Sequence, residues 1–161
     1  MRKMALVVVA IIVTFGILTQ EVSAAAKYKS GAIKWYKQGE KYYSDGKYDM
    51  ALAAYQQAVN IDHTYTEALN SKGKVFLEKE DYRQAVEEFN KALEARPAYI
   101  EAYDNRGWAW YKLGQYDKAI LDFEKAISLE KKYTPAYSHR GLVYAEQRQY
   151  DKALTDLNSA L

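Results

Sequence analysis

Residues 100–133 read IEAYDNRGWAWYKLGQYDKAILDFEKAISLEKKY. Tyr103, Gly107, Trp110 and Tyr111 recur at steps that keep them on one side of a helix. Gly114 then interrupts the pattern, as a helix-ending glycine does. Tyr116, Ala119, Ile120, Phe123, Ala126 and Ile127 resume it. The stretch predicts two amphipathic helices joined by a tight turn. Gly107 falls inside the first helix, where glycine costs about 1 kcal/mol relative to alanine. That cost is tolerated where a neighbouring helix must come close. Ala119 and Ala126, seven apart, give the second helix a small-residue face to meet it, with Tyr103, Trp110 and Phe123 filling the space on either side.

The same pattern returns along the chain at a fixed step of 34 residues. Gly39, Gly73, Gly107 and Gly141 form one series, and Tyr48, Tyr82, Tyr116 and Tyr150 a second. Ala51, Ala85, Ala119 and Ala153 form a third, and Ala58, Ala92, Ala126 and Ala160 a fourth. A strict period of this length predicts a stack of identical helical units, an architecture that builds recognition surfaces. The copies are residues 32–65, 66–99, 100–133 and 134–161, the last incomplete. Helices are expected near 33–45, 48–61, 67–79, 82–95, 101–113, 116–129, 135–147 and 150–160. Residues just before each glycine are polar (Gln38, Lys72, Arg106 and Arg140) and are expected to snorkel at the edge of the stack.

The period, the glycine, the paired alanines and the aromatic series resemble the tetratricopeptide repeat. The resemblance covers residues 32–161, and NRGWAWYKLGQYDKAILDFEKAI carries it most clearly. Pro97 ends the second copy as in the family, whereas His63 and Lys131 stand at the matching places. The resemblance implies an all-α fold, an α-solenoid of helix–turn–helix units wound into a right-handed superhelix. It also implies a concave groove, lined by the outward faces of the first helices, that holds an extended peptide or a partner helix.

Ahead of the repeats the chain changes in kind. Arg2 and Lys3 precede an apolar run from Met4 to Leu18, followed by Val22-Ser23-Ala24. This is the layout of a secretory signal. Residues 1–24 are read as that signal, with Ala24-Ala25-Ala26 as an alternative cleavage site, and 25–31 as a short linker. An uncleaved membrane anchor is the other reading, but spanning a bilayer takes about 20 apolar residues, and this run is shorter and contains Thr14 and Gly16. The chain is therefore expected to be exported, periplasmic or secreted, with no membrane insertion after cleavage. It contains no Cys, so an oxidising compartment has nothing to oxidise.

Charge excludes one class of partner. The chain holds 23 Lys and Arg against 21 Asp and Glu, and without Arg2, Lys3 and Glu21 the excess is a single positive charge. That is not the field of a nucleic-acid binder. The chemistry of catalysis is not assembled either. His63 and His139 are the two histidines. They are separated by two repeats, so no metal site is expected. Ser138 and His139 are adjacent and point about 100° apart on a helix. The glycines are single and mid-helix, which is no phosphate loop. Glu87-Glu88 and Asp122 with Glu124 read as solvated surface rather than acid–base pairs. No enzyme and no cofactor is expected.

The candidate site is the groove. If Tyr103, Gly107 and Trp110 face the partner helix, then Glu101, Asp104, Asn105, Trp108 and Lys112 face away. The equivalent stripe is Tyr36, Glu40 and Tyr43 in the first copy, and Glu67, Asn70, Ser71, Lys74 and Glu78 in the second. In the fourth it is Ser138, His139, Leu142 and Glu146. Trp108 has two readings: an anchor for a ligand, or a side chain packed under Leu142 or Lys74 of an adjoining repeat. One subclass of the family binds chaperone C-terminal carboxylates through Lys, Asn and Arg on successive first helices. Here Asn105 fits that pattern, but Asn70 and Lys74 stand in exchanged order, Pro135 replaces a lysine and His139 an arginine, so that ligand is not expected.

A second candidate surface lies at the far end. Leu154, Leu157 and Leu161 share one side of the last helix, the side that Leu52, Tyr55 and Val59 present to the following repeat in the first copy. Two functions follow from these surfaces. One is an exported scaffold that binds a protein or peptide partner in the groove, in envelope assembly or secretion. The other is a structural module, or a piece of a longer array, that associates through its C-terminal end. Export has a direct measurement: intact-mass analysis of protein recovered outside the cytoplasm should lack residues 1–24, and an intact Met1 there would make the segment an anchor.

Overall fold

The computed structural model describes residues 29–161, so the expected signal segment lies outside the described residues. Among the described residues eight α-helices form and no strand. They are α1 (29–44), α2 (Tyr48–Ile61), α3 (Thr66–Glu78), α4 (Tyr82–Ala95), α5 (Ile100–Lys112), α6 (Tyr116–Leu129), α7 (Thr134–Glu146) and α8 (Tyr150–Ser159). The boundaries follow the sequence reading closely, with two corrections. Helix α8 ends at Ser159, so Leu161 does not share a side of the last helix with Leu154 and Leu157. Residues 29–31, read from the sequence as linker, belong to α1.

Each repeat is a helical hairpin closed by the same turn. At its hinge sits a residue in the left-handed region: Gly46 and Gly114 at φ 71°, Glu80 and Arg148 at φ 58°. The backbone bonds are those of a helix-ending Schellman turn. Gly114 N–H donates to Tyr111 C=O at 2.9 Å and Gln115 N–H to Trp110 C=O at 2.9 Å, and the other three turns repeat both bonds. Glycine reaches this conformation freely, whereas Glu80 and Arg148 do so at a cost of about 1 kcal/mol each.

Within a hairpin the two helices meet at the glycine. A Cβ placed on Gly73 would lie 2.4 Å from the Phe89 ring, and one on Gly107 would lie 2.7 Å from the Phe123 ring. Gly39 meets Tyr55 in the same way at 2.5 Å. The ring therefore packs directly against the glycine, and Tyr55, Phe89 and Phe123 are fully buried. Between hairpins α2 packs on α3, α4 on α5 and α6 on α7. At those junctions the later helix offers small residues, such as Ala102 against Ala92 and Leu93, and Ala109 against Val86 and Phe89.

The cations before Gly73, Gly107 and Gly141 do not snorkel, and of the acids expected to be solvated Glu88 and Asp122 are buried, whereas Glu87 and Glu124 are exposed. Arg106 forms a forked pair with Asp122, Nε to Oδ2 at 2.8 Å and Nη2 to Oδ1 at 2.7 Å, while Nη1 donates to Asn90 on the preceding repeat at 2.7 Å. Arg140 makes the same fork with Asp156 at 2.7 Å and lies 3.9 Å from Glu124. Lys72 donates to Gln56 at 2.7 Å and lies 2.9 Å from Glu88 Oε2, a contact of charge without hydrogen-bond geometry. Glu88, Asp122 and Asp156 are each almost wholly buried. Burial pushes the Asp122 carboxyl above its ordinary range even though Arg106 pulls the other way. The reason for the correction is geometric. A long cation beside the glycine reaches across the close helix contact to the acid beside the aromatic ring.

The fourth hairpin is looser. Gly141 faces Leu157 Cγ at 3.2 Å, with no ring above it. Substitution by alanine should separate the sites. Gly73→Ala and Gly107→Ala are each expected to lower stability by about 1–3 kcal/mol through overpacking, in spite of alanine's better helix propensity. Gly141→Ala should cost least. Thermal melts of the three variants check the order, and equal losses at all three would count against the ring contact as the cause.

Candidate functional site

The first helices touch one another (α3 with α5, α5 with α7), whereas the second helices do not. A stack curves toward the side on which its like elements lie closest, so the first helices line the inner, concave face. Residues 35 apart in sequence meet across it. Asn105 Nδ2 donates to Asn70 Oδ1 at 3.1 Å. His139 Nδ1 lies 2.8 Å from Asp104 Oδ1. Tyr43 donates to Glu78 at 3.1 Å, and Tyr111 to Glu146 at 3.4 Å. Near the N-terminal end Ser71 donates to Glu40 at 3.0 Å, and Glu40 also accepts from the Tyr55 hydroxyl.

These bonds sort the candidate residues. Asn70 and Asp104, read from the sequence as groove residues facing a ligand, are buried floor. Asp104 is held by His139 and lies against the Tyr133 hydroxyl. A carboxylate only accepts, so the His139 nitrogen facing it carries the hydrogen. Glu40 and Tyr36 likewise belong to a packed network with Ser71, Tyr55 and Tyr65. Above this floor Lys74, Asn105, Trp108 and His139 come together with Tyr43, Leu77 and Glu78 around a hollow of about 320 Å³.

Trp108 is half-buried and stands among rings. The His139 ring centre lies 4.8 Å away and that of Tyr111 5.1 Å. Leu142 stays exposed further along the groove, and Lys74 lines the same hollow as Trp108. Lys112 Nζ sits 4.8 Å over the Trp108 ring, and Lys74 Nζ 5.0 Å over the Tyr43 ring. Neither ammonium has a carboxylate partner among the described residues. A larger hollow of about 500 Å³ lies at the head of the stack by Lys29, Ile33 and Arg96, away from these groups. No cluster of metal-ligating residues occurs among the described residues, and no described helix is long and apolar enough to cross a membrane. The sequence reading missed Leu77, which enters the site from the preceding repeat, and Tyr111 and Tyr133, which touch Trp108 and Asp104 from within their own repeat.

Comparison with known proteins bears on what this arrangement is. Sequence profiles of the TPR repeat match residues 39–79 and 73–114, and a profile of the tetratricopeptide repeat matches 100–133. The chain belongs to the tetratricopeptide repeat family. No curated protein matches it in sequence. Among solved structures the tetratricopeptide stack is similar to MamA, at 26% identity over 85% of this chain and 84% of that one, with a TM-score of 0.75. It is similar also to a thermophilic TPR protein of Thermus thermophilus, at 26% identity over 81% and 73%, TM-score 0.73. The first TPR of Spaghetti, bound to the HSP90 peptide SRMEEVD, shares the fold at 24% identity over 79% and 95%, TM-score 0.67.

The phenols of the stack report on its integrity. Burial, reinforced by Glu78, pushes Tyr43 up to about 12, and burial with Glu101 does the same for Tyr99. Burial raises Tyr55 and Tyr133 as well, with Glu40 and Asp104 adding to it. An unfolded tyrosine ionises near 10. Above that pH the native stack keeps protons that the unfolded chain has released, so stability is full below about pH 10 and falls as pH rises toward 12. Tyrosinate absorbance at 295 nm should show a group of phenols that ionises only as helicity is lost. Complete reversible titration near pH 10 in the folded protein would contradict the buried network.

Proposed function

We propose that the protein is a scaffold that binds an extended segment or helix of another protein in its concave groove. The observation that carries this reading is the hollow beneath Trp108. A half-exposed indole, two lysines without acid partners and a rigid floor whose own polar groups are already bonded leave a surface that lacks only a ligand. Glu40, Glu78, Asp104 and Glu146 are bonded to neighbours while Lys74 and Lys112 are not, so the groove does not favour a strongly basic segment. An apolar or aromatic anchor laid on Trp108 suits it, with main-chain carbonyls reaching Lys74 and Lys112. Peptide binding by the tetratricopeptide domain of Spaghetti supports the class of function. Export, and a place in envelope assembly or secretion, follow from the leader-like residues 1–24 and belong to the same proposal.

A second reading rests on the other end of the stack. Leu154 is 61% exposed and Leu157 42%, while Phe123, at the place of Leu157 one repeat earlier, is fully buried. A structural module or a longer array that associates through α8 would cover them.

Capture of proteins from a native envelope extract tests the groove. Trp108→Ala should weaken retention of the captured partner by about 2 kcal/mol or more, roughly thirtyfold, with circular dichroism unchanged. Lys74→Glu with Lys112→Glu, on the rim, should weaken it without touching the core. Undiminished capture by both variants would move the binding site elsewhere.

A further inference from the structure

Helix α1 presents a cationic side to solvent. Lys34, Lys37 and Lys41 follow one another at steps of three and four, which keeps them on one side of the helix. All three are exposed, and none forms an ion pair among the described residues. Residues 29–44 hold four lysines against one acid, Glu40, and that acid is taken up inside the stack by Ser71 and Tyr55. The whole chain is only +2, so the positive field is concentrated at this end.

The lysines stand where the other first helices are apolar. In the later repeats the place of Lys34 holds Ala68, Ala102 and Ala136, and that of Lys41 holds Val75, Ala109 and Val143, all fully buried. An ammonium group buried in such a place would lose its water without gaining a partner. The residues of α1 themselves therefore keep this side wet. Beside them Trp35 is 42% exposed, whereas Leu69, at the same place one repeat on, is 3% exposed and packs on Val59. Tyr42, half-buried, lies two turns along from Trp35. An indole and a phenol bordering a row of lysines suit the edge of a bilayer. Aromatic rings of this kind settle at headgroup level, and lysines near the surface draw anionic lipids.

The sequence ahead of α1 leads to the same surface. Arg2, Lys3 and the apolar run from Met4 to Leu18 are chemistry suited to a bilayer, and ten residues, 19–28, separate that run from Lys29. Ten residues reach about 35 Å at full extension. A chain brought to a membrane by this run thus meets the headgroups with α1 first.

We propose that the outer side of α1 is a contact surface for the anionic headgroups of a phospholipid bilayer. Lys34, Lys37 and Lys41 meet the phosphates, and Trp35 settles among the headgroups beside them. The surface is independent of the groove at Trp108, which lies two repeats away.

Co-sedimentation of the full chain with vesicles tests this, using phosphatidylcholine alone and phosphatidylcholine mixed with phosphatidylglycerol. The apolar run enters both kinds, so the reading is the preference for the anionic one. Lys34→Gln, Lys37→Gln and Lys41→Gln together should lower affinity for the anionic vesicles about a hundredfold, roughly fivefold per lysine. Affinity for the neutral vesicles should stay the same, and arginine at all three places should keep the parent's preference. Lys125→Gln, Lys131→Gln and Lys132→Gln remove as much charge from exposed positions elsewhere and should change little. Quenching of indole emission by bromine-labelled lipid should disappear in Trp35→Phe. A parent without preference for anionic vesicles would leave the lysines to an acidic protein and overturn the proposal. Equal losses in the two glutamine variants, or quenching that survives Trp35→Phe, would overturn it too.

Discussion

The first three hairpins of this stack depend on a ring packed directly against a glycine. Gly73 and Phe89, like Gly107 and Phe123, are sixteen residues apart, and their contact sets how close and in what register the two helices of a hairpin lie. Once that contact is made, the residues immediately before each member, Lys72 and Glu88 or Arg106 and Asp122, are placed to pair. The same cation then reaches the previous repeat. One steric fit thus positions both the hairpin and its junction. Where the ring is replaced, as by Leu157 over Gly141, the hairpin relaxes but the fork of Arg140 on Asp156 persists.

The buried ion pairs are better understood as a specification of register than as a source of net stability. Removing a carboxylate and a guanidinium from water costs about as much as their attraction returns, and the raised Asp122 carboxyl shows that desolvation outweighs Arg106 there. A misaligned hairpin, however, would leave the cation buried without its carboxylate, a state penalised by several kcal/mol. Apolar packing between helices rich in alanine tolerates sliding. Forked pairs repeated at 106 and 140 do not. The candidate groove benefits, because its cross-helix bonds at Asn70–Asn105 and Asp104–His139 need adjacent first helices in step.

What could be read from the chain, and what could not, follows from how each feature is encoded. Helices and repeat borders are written in local periodicity, and Gly114 announces its turn. The equivalent turns at Glu80 and Arg148 give no such sign, because tertiary packing forces ordinary residues into a conformation that glycine takes freely. Trp108, Lys74, Asn105 and His139 were identifiable as one stripe from helical phase. That Asn70 and Asp104 are floor rather than contact surface was not, since their burial comes from partners 35 residues away. Nor did any single repeat reveal that Glu88 and Asp122 are buried. A charged residue on a second helix looks solvated until the cation beside the glycine is placed opposite it.

The hydrogen bonds across the concave face and the charged forks between helices also differ in strength, and this gives the stack a mechanical character. The inner bonds are mostly single and have at most one charged partner, as from the Asn105 amide to Asn70 or the Tyr43 hydroxyl to Glu78, whereas the forks join two charged groups. The forks on Asp122 and Asp156 are doubled and charge-assisted, the stronger kind. A load that opens the curve parts the weak inner seam first and pivots on the forks. The molecule is thus a spring with a stiff spine and a yielding inner edge, whose concave face can widen while its repeats stay in register.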